Sequence, residues 1–98
     1  MTQPYCVSSL IAACDTWDPQ TYLHYPASGI TGHNMDGFQL YDTVEKCQAW
    51  CGASPQCQNF ERRLSDSRCL FHTVTARDHP TDWDTASTNW DFYQKNCA

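Results

Sequence analysis

The stretch EKCQAWCGASPQC, Glu45–Cys57, decides the fold, because it holds three of the seven cysteines in this chain of 98 residues. Cys47, Cys51 and Cys57 could serve as metal ligands, as redox or catalytic thiols, or as disulfides that hold a small domain together. A chain of this length forms one domain with a modest hydrophobic core. The chemistry of these cysteines therefore determines how the domain is stabilised and which residues are left for function.

The residues around this stretch predict one helix, from about Thr43 to Cys51. Asp42, with Glu45 three residues later, matches a capping box in which Asp42 is the N-cap. Cys47 and Cys51 then lie one helical turn apart on the same face of the helix. We therefore expect this helix to point two cysteines into the core.

The rest of the chain predicts short strands and loops. Residues 1–40 are rich in turn-forming residues and favour extended segments over a second helix. Strands are predicted at 21–25, 37–41, 56–62, 68–74 and 89–96, with a polar loop at 75–88. One helix followed by a meander of strands indicates an α+β domain.

The charge and hydropathy of the chain argue against two classes of partner. Six basic residues are outnumbered by eleven acidic ones, which gives a net charge of −5, and Arg62 and Arg63 are the only adjacent basic pair. Without a basic stripe, we expect no nucleic-acid partner and no binding to an anionic membrane. No apolar run reaches the ~18–20 residues that cross a bilayer, so we expect no membrane insertion.

The spacing of the cysteines and histidines gives little support to zinc binding or to catalysis. Cys47 and Cys51 could form one zinc-binding pair, but eleven residues separate Cys57 from Cys69, and structural zinc sites use closely spaced pairs. No Cys-x-x-Cys motif and no protease signature surrounds any cysteine. A structural zinc-binding domain stays a remote alternative, and we expect no enzyme activity, no cofactor and no metal. Disulfides are favoured, and they indicate a secreted, extracellular or secretory-organelle protein.

The cysteine spacing resembles that of the PAN/apple family. The matching positions are Cys47-x3-Cys51-x5-Cys57-x2-Phe60, then Cys69-Leu70, and the ending FYQKNC at Cys97. This resemblance implies a small disulfide-rich fold in which an antiparallel sheet of about five strands cradles one helix. It also implies a PAN/apple domain over residues 14–97, preceded by an N-terminal extension over residues 1–13.

The resemblance further implies how the cysteines pair. It implies the bridges Cys47–Cys69 and Cys51–Cys57 between the helix and the sheet. A third bridge would join the ends of the domain as Cys14–Cys97, with Cys6–Cys97 as the alternative. Seven cysteines leave one over, which we expect to be Cys6, either as a free thiol or as a bridge to a neighbouring module.

Members of the PAN/apple family are recognition modules that are usually not catalytic. They occur in blood-clotting zymogens, in growth-factor N-domains and in parasite microneme adhesins, some of which are lectins that attach to host cells. The resemblance therefore implies a module of a larger, multidomain secreted protein. Its partners would be a protein or glycan ligand on a cell surface and the neighbouring domains of its own chain.

One segment favours carbohydrate as the ligand. Residues 78–96, DHPTDWDTASTNWDFYQKN, combine aromatic rings that can stack on a sugar with polar groups that can bind its hydroxyls. The candidate residues are Trp83, Trp90, Tyr93, Asp82, Asp84, Lys95 and His79. Packing in the core is the competing role for the two tryptophans, and a protein–protein module with no sugar binding is the alternative function.

Overall fold

The structure is a computed structural model that describes residues 17–97, with the backbone alone described at residues 17–21, 36–38 and 97. Its elements, in chain order, are β1 Trp17–Tyr25, β2 Gly29–Ile30, β3 Asn34–Tyr41, α1 Val44–Ala53, β4 Asn59–Arg63, β5 Arg68–His72, β6 Trp83–Asp84 and β7 Trp90–Cys97. Five strands form an antiparallel sheet in the order β1-β7-β4-β5-β3, and β2 pairs separately with β6. The predicted α+β fold, with one helix on a five-stranded antiparallel sheet, is confirmed.

The helix begins one residue later than the capping-box prediction places it. Thr43, not Asp42, is the N-cap, and its hydroxyl oxygen accepts a hydrogen bond from the Lys46 amide at 3.3 Å. The Asp42 amide donates to the Ser67 carbonyl at 3.1 Å, which holds Asp42 against the hairpin between β4 and β5. Asp42 lies one residue before this cap, and the predicted role of Asp42 as N-cap is wrong.

The register of the sheet separates two faces, because alternate residues of a strand point to opposite sides. Phe60 of β4 lies opposite both Tyr93 of β7 and Phe71 of β5, and these rings face the helix. One residue further along β4, Glu61 lies opposite Phe92 of β7 on the other face. The two faces support two separate cores.

The core between the helix and the sheet is built around two disulfides. Cys47 and Cys51 of α1 are bonded to Cys69 of β5 and to Cys57, which precedes β4. All four residues are fully buried and pack with the ring of Phe60. These are the two pairings that the family resemblance implies, and as disulfides these four sulfurs are not available as thiolate ligands for zinc.

A second, smaller core covers the opposite face of the sheet. Tyr25, Ile30, Ala76 and Phe92 are buried there, and Trp83 packs against them. The short ladder of β2 and β6, in which Ile30 lies opposite Trp83, holds this layer on the sheet.

The segment 75–88 was expected to be a polar loop without regular structure, and that expectation is wrong. It contains a 3-10 turn, Pro80–Asp82, and the short strand β6. The isolated apolar residues Ala76 and Trp83 show no periodicity in the sequence, so only their packing against distant strands identifies them as core.

The predicted bridge between the ends of the domain stays a prediction. Cys97 ends β7, and its backbone lies opposite Trp17 at the start of β1. Both of its expected partners, Cys14 and Cys6, lie outside the described residues, as does the expected extension over residues 1–13.

Candidate functional site

The seven residues expected to bind sugar do not come together in one pocket. Trp90 and Tyr93 are three positions apart on β7, so they point to opposite faces of the sheet. Trp90 lies opposite Arg63, on the face away from the helix, while Tyr93 lies opposite Phe60 on the helix face. A single sugar ring cannot contact both side chains.

Tyr93 lies on the helix face as part of a stack of rings. Its ring stacks on that of His24 at a centroid distance of 4.6 Å and on that of Phe60 at 5.0 Å. Partial burial raises the pKa of the Tyr93 hydroxyl. The Nε2 atom of His24 is 2.8 Å from Oδ2 of Asp91, which fixes the outer ring of the stack.

Two other candidates, Trp83 and Asp84, make contacts within their own domain. The ring of Trp83 packs edge-on against Phe92, with centroids 4.9 Å apart. Asp84 accepts hydrogen bonds from the Ala86 amide and the Ser87 hydroxyl, and so orders the loop before β7. These contacts give Trp83 and Asp84 structural roles.

Lys95 is almost completely buried, with 1% of its surface exposed. Its ammonium group donates to the carbonyl of Ser54, at the C-terminal end of α1, at 3.1 Å. Burial lowers the pKa of this ammonium group, while the carbonyl groups at a helix C-terminus favour a cation. Lys95 therefore ties the helix end to β7 and is not a surface group.

The last two candidates, His79 and Asp82, come together with a residue that sequence reasoning did not select. The Nε2 atom of His33 is 2.8 Å from Oδ2 of Asp82, and Nδ1 of His79 is 3.9 Å from the same oxygen. His33 lies in the turn between β2 and β3, far from the other two in sequence. No local pattern could have indicated this cluster.

The sheet face away from the helix carries a row of four side chains at its exposed end. Trp90 lies opposite Arg63, Arg63 lies opposite Arg68, and Arg68 lies opposite Tyr41, across β7, β4, β5 and β3. We call these four residues the arginine–aromatic row. Trp90 and Arg63 are partly exposed, and Tyr41 is 56% exposed.

Contacts within the row and with neighbouring side chains hold its two arginines in place. The Arg63 guanidinium lies 5.5 Å from the centre of the Trp90 ring, and it donates two hydrogen bonds to the carboxylate of Asp66, at 2.9 and 2.6 Å. These bonds raise the pKa of Arg63 and lower the pKa of Asp66. Arg68 donates instead to the neutral amide oxygen of Gln39, at 2.6 Å.

Sequence reasoning selected one residue of this row, Trp90, and missed the other three. The hairpin sequence does contain a usable signal, because a short connection between β4 and β5 places Arg63 directly opposite Arg68. The positions of Trp90 and Tyr41 at the two ends of the row depend on the strand order and could not be read from the hairpin.

Comparison with known proteins adds one finding to this geometry. The family model for the PAN domain matches residues 14–97. This chain belongs to the PAN domain family. Searches of curated proteins and of solved structures each found no match.

Membership of the PAN domain family accounts for the cysteine framework on the helix and the two neighbouring strands. PAN domains are typically non-catalytic modules that bind a protein or a carbohydrate within a larger protein. A disulfide-rich PAN domain is consistent with an extracellular or secreted protein. Within residues 17–97, no helix has both the length and the apolar character needed to cross a membrane.

Proposed function

We propose that this PAN domain is a non-catalytic extracellular recognition module of a larger secreted protein, and that it binds a protein ligand through the arginine–aromatic row. The observation that carries this proposal is the alignment of Trp90, Arg63, Arg68 and Tyr41 across four neighbouring strands. Tryptophan, tyrosine and arginine are the residue types most enriched among those that dominate the energy of protein interfaces.

The charge of the row favours an acidic partner. The Asp66 carboxylate neutralises Arg63, whereas the hydrogen bond from Arg68 is to the neutral oxygen of Gln39. The row therefore has a positive charge in excess on a domain whose net charge is −5. Such a local charge selects partners with complementary acidic groups and speeds their association at low ionic strength.

The position of the row on the sheet reduces the entropic cost of binding. Its backbone belongs to four hydrogen-bonded strands. The Arg63 guanidinium is already restrained by its bidentate contact to Asp66, and that of Arg68 by its contact to Gln39. A ligand then orders fewer side chains when it binds, and more of the contact energy appears as affinity.

Two binding screens with this PAN domain test the proposal: one against a panel of purified extracellular proteins and one against an array of glycans. We expect binding to a protein on the panel that Arg68→Ala and Trp90→Ala each weaken by about tenfold or more, as for a residue that dominates an interface. Lys46→Ala is the matched control, because Lys46 is a surface cation on α1 whose side chain is 72% exposed. Protein binding that survives both row substitutions, or that Lys46→Ala weakens equally, would contradict the proposal.

Carbohydrate binding, in a lectin of the microneme-adhesin kind, is the second candidate, and the partly exposed ring of Trp90 favours it. The glycan array separates the two functions: selective glycan binding that Trp90→Ala abolishes without a lower melting temperature supports a lectin. The corresponding change at Trp83 is a poor test, because Trp83 packs in the second core. Absence of any glycan signal would leave the protein ligand as the sole proposal.

A further inference from the structure

His33, His79 and Asp82 form a group of three potential metal ligands at the loop end of the domain. In the part of the chain that the structure describes, it is the one group of three in which a nitrogen or oxygen ligand atom from each residue lies within 4.8 Å of the others. The rings of His33 and His79 are in contact, with centroids 4.3 Å apart. The group shares no residue with the arginine–aromatic row.

Backbone hydrogen bonds hold the turn of His33 against the 3-10 turn of His79 and Asp82. The Thr31 amide donates to the carbonyl of Asp82 at 2.9 Å, and the Asp82 amide donates to the carbonyl of His79 at 3.1 Å. Directly beside them, Ile30 and Trp83 pair in the β2–β6 ladder and pack in the second core. His33, which directly precedes β3, is therefore held against the 3-10 turn by contacts that do not depend on any metal.

The distances between the ligand atoms are close to those that a metal requires. Ligands bound tetrahedrally at about 2.0–2.1 Å are about 3.3 Å from one another. In the structure, Oδ2 of Asp82 is 2.8 Å from Nε2 of His33 and 3.9 Å from Nδ1 of His79. Side-chain rotations that move each atom by less than about 1 Å would bring both distances to the required value.

The donor set also selects the class of metal. Two imidazole nitrogens and one carboxylate oxygen suit zinc and the neighbouring divalent transition metals, whereas calcium and magnesium prefer oxygen ligands alone. The three side chains are 30%, 35% and 36% exposed, so the group is open on one side. A metal held by three protein ligands keeps a further coordination position for water or for a donor group of a partner.

We propose that His33, His79 and Asp82 form a binding site for a divalent transition metal, with zinc as the preferred ion. The sequence predicts no metal, and the zinc alternative concerned sites built on cysteines, of which Cys47, Cys51, Cys57 and Cys69 are paired as disulfides. The proposal rests on the contact between two loops that only the fold brings together.

Calorimetric titration with zinc alone tests the site. The protein is first alkylated under non-reducing conditions, so that any free cysteine no longer competes for the metal. We expect one zinc ion per chain, and we expect His33→Ala and His79→Ala each to raise the Kd by at least about tenfold, since changes even outside the ligand shell have effects of this size. Asp82→Asn, which keeps the shape of the side chain, should weaken binding similarly.

His24→Ala is the matched control for this experiment. His24 forms the same kind of pair with Asp91, with Nε2 and Oδ2 2.8 Å apart, but among residues 17–97 it belongs to no group of three potential ligands. The control should bind zinc like the wild type. Three results would each overturn the proposal. They are a wild type that does not bind zinc, zinc binding that His33→Ala and His79→Ala leave unchanged, and a His24→Ala variant in which zinc binding is weakened equally. Near-ultraviolet circular dichroism of each variant confirms that a loss of binding is not a loss of fold.

Discussion

His72 on β5 is fully buried, and its two ring nitrogens face different neighbours. Asn59 donates through Nδ2 to the carbonyl of Val74 at 2.7 Å and to Oε1 of Gln94 at 3.1 Å, so its Oδ1 is the acceptor for Nδ1 of His72 at 2.8 Å. The other nitrogen, Nε2, lies 3.5 Å from a carboxylate oxygen of Glu61 and has no hydrogen-bond partner among the described residues. A single asparagine thus bonds three polar groups: the ring of His72, the carbonyl of Val74 just after β5, and the side chain of Gln94 on β7.

Replacing this asparagine should destabilise the domain strongly. Asn59→Ala leaves buried groups of His72 and Gln94 without their partner, which we expect to lower the free energy of unfolding by about 2–4 kcal/mol. Urea unfolding of the disulfide-bonded protein measures this effect. Asn89→Ala is the control, because Asn89 is exposed and its side-chain amide donates to the Ser65 hydroxyl at 3.3 Å, and it should change stability by less than about 0.5 kcal/mol. Equal midpoints for the two variants would contradict this role of Asn59.

At the scale of elements, the sequence located the helix well but not its first residue. The helical phase of Cys47 and Cys51 is a local property, and the observed helix, Val44–Ala53, contains both. Asp42 and Thr43 are both favourable N-cap residues, so local signals do not separate them, and in the structure Thr43 is the cap. Local signals also do not contain the missed β6, whose pairing partner β2 lies about fifty residues earlier.

Tyr22 joins β1 to the helix, and this contact predicts how stability depends on alkaline pH. Its hydroxyl donates to the carbonyl of Gln48 at 2.8 Å, and burial raises its pKa well above the ordinary value. Above the ordinary tyrosine pKa of about 10, the unfolded chain loses this proton while the folded protein keeps it. The free energy of unfolding should therefore fall as the pH rises above about 10.

Tyr22→Phe should remove a large part of this alkaline fall in stability. Urea unfolding of both proteins over a series of pH values, after alkylation of free thiols, measures it. A comparison at neutral pH gives the separate cost of the lost hydrogen bond, about 1 kcal/mol. The same decline above pH 10 in the variant as in the wild type would show that Tyr22 is not its source.

At the scale of the whole molecule, the domain consists of one sheet with a thin core on each of its two faces. The helix and its disulfides cover one face, and the β2–β6 ladder with Trp83 covers the other. Neither core is large, so covalent links matter more than they would in a larger domain. The helix is bonded at Cys47 to a central strand and at Cys51 to the chain entering β4.

The two disulfides should contribute unequally to stability. Cys47 and Cys69 are 22 positions apart, whereas Cys51 and Cys57 are 6 apart. Because a longer closed loop restricts the unfolded chain more, removing the first bridge by Cys47→Ala with Cys69→Ala should cost about 1 kcal/mol more than removing the second. Urea unfolding of the two double variants measures the difference. Greater destabilisation by Cys51→Ala with Cys57→Ala would contradict this order.

The amino-acid sequence by itself determined the fold class, the helix with two inward cysteines and the family, because helical phase and cysteine spacing are properties of neighbouring residues. Only the tertiary structure decided which polar and aromatic groups meet. Strand order places Trp90 and Tyr41 in one row with two arginines, and the packing of two loops places His33 beside Asp82. These contacts join residues tens of positions apart, and they depend on register and on the contact of one core layer with another, which no local pattern specifies.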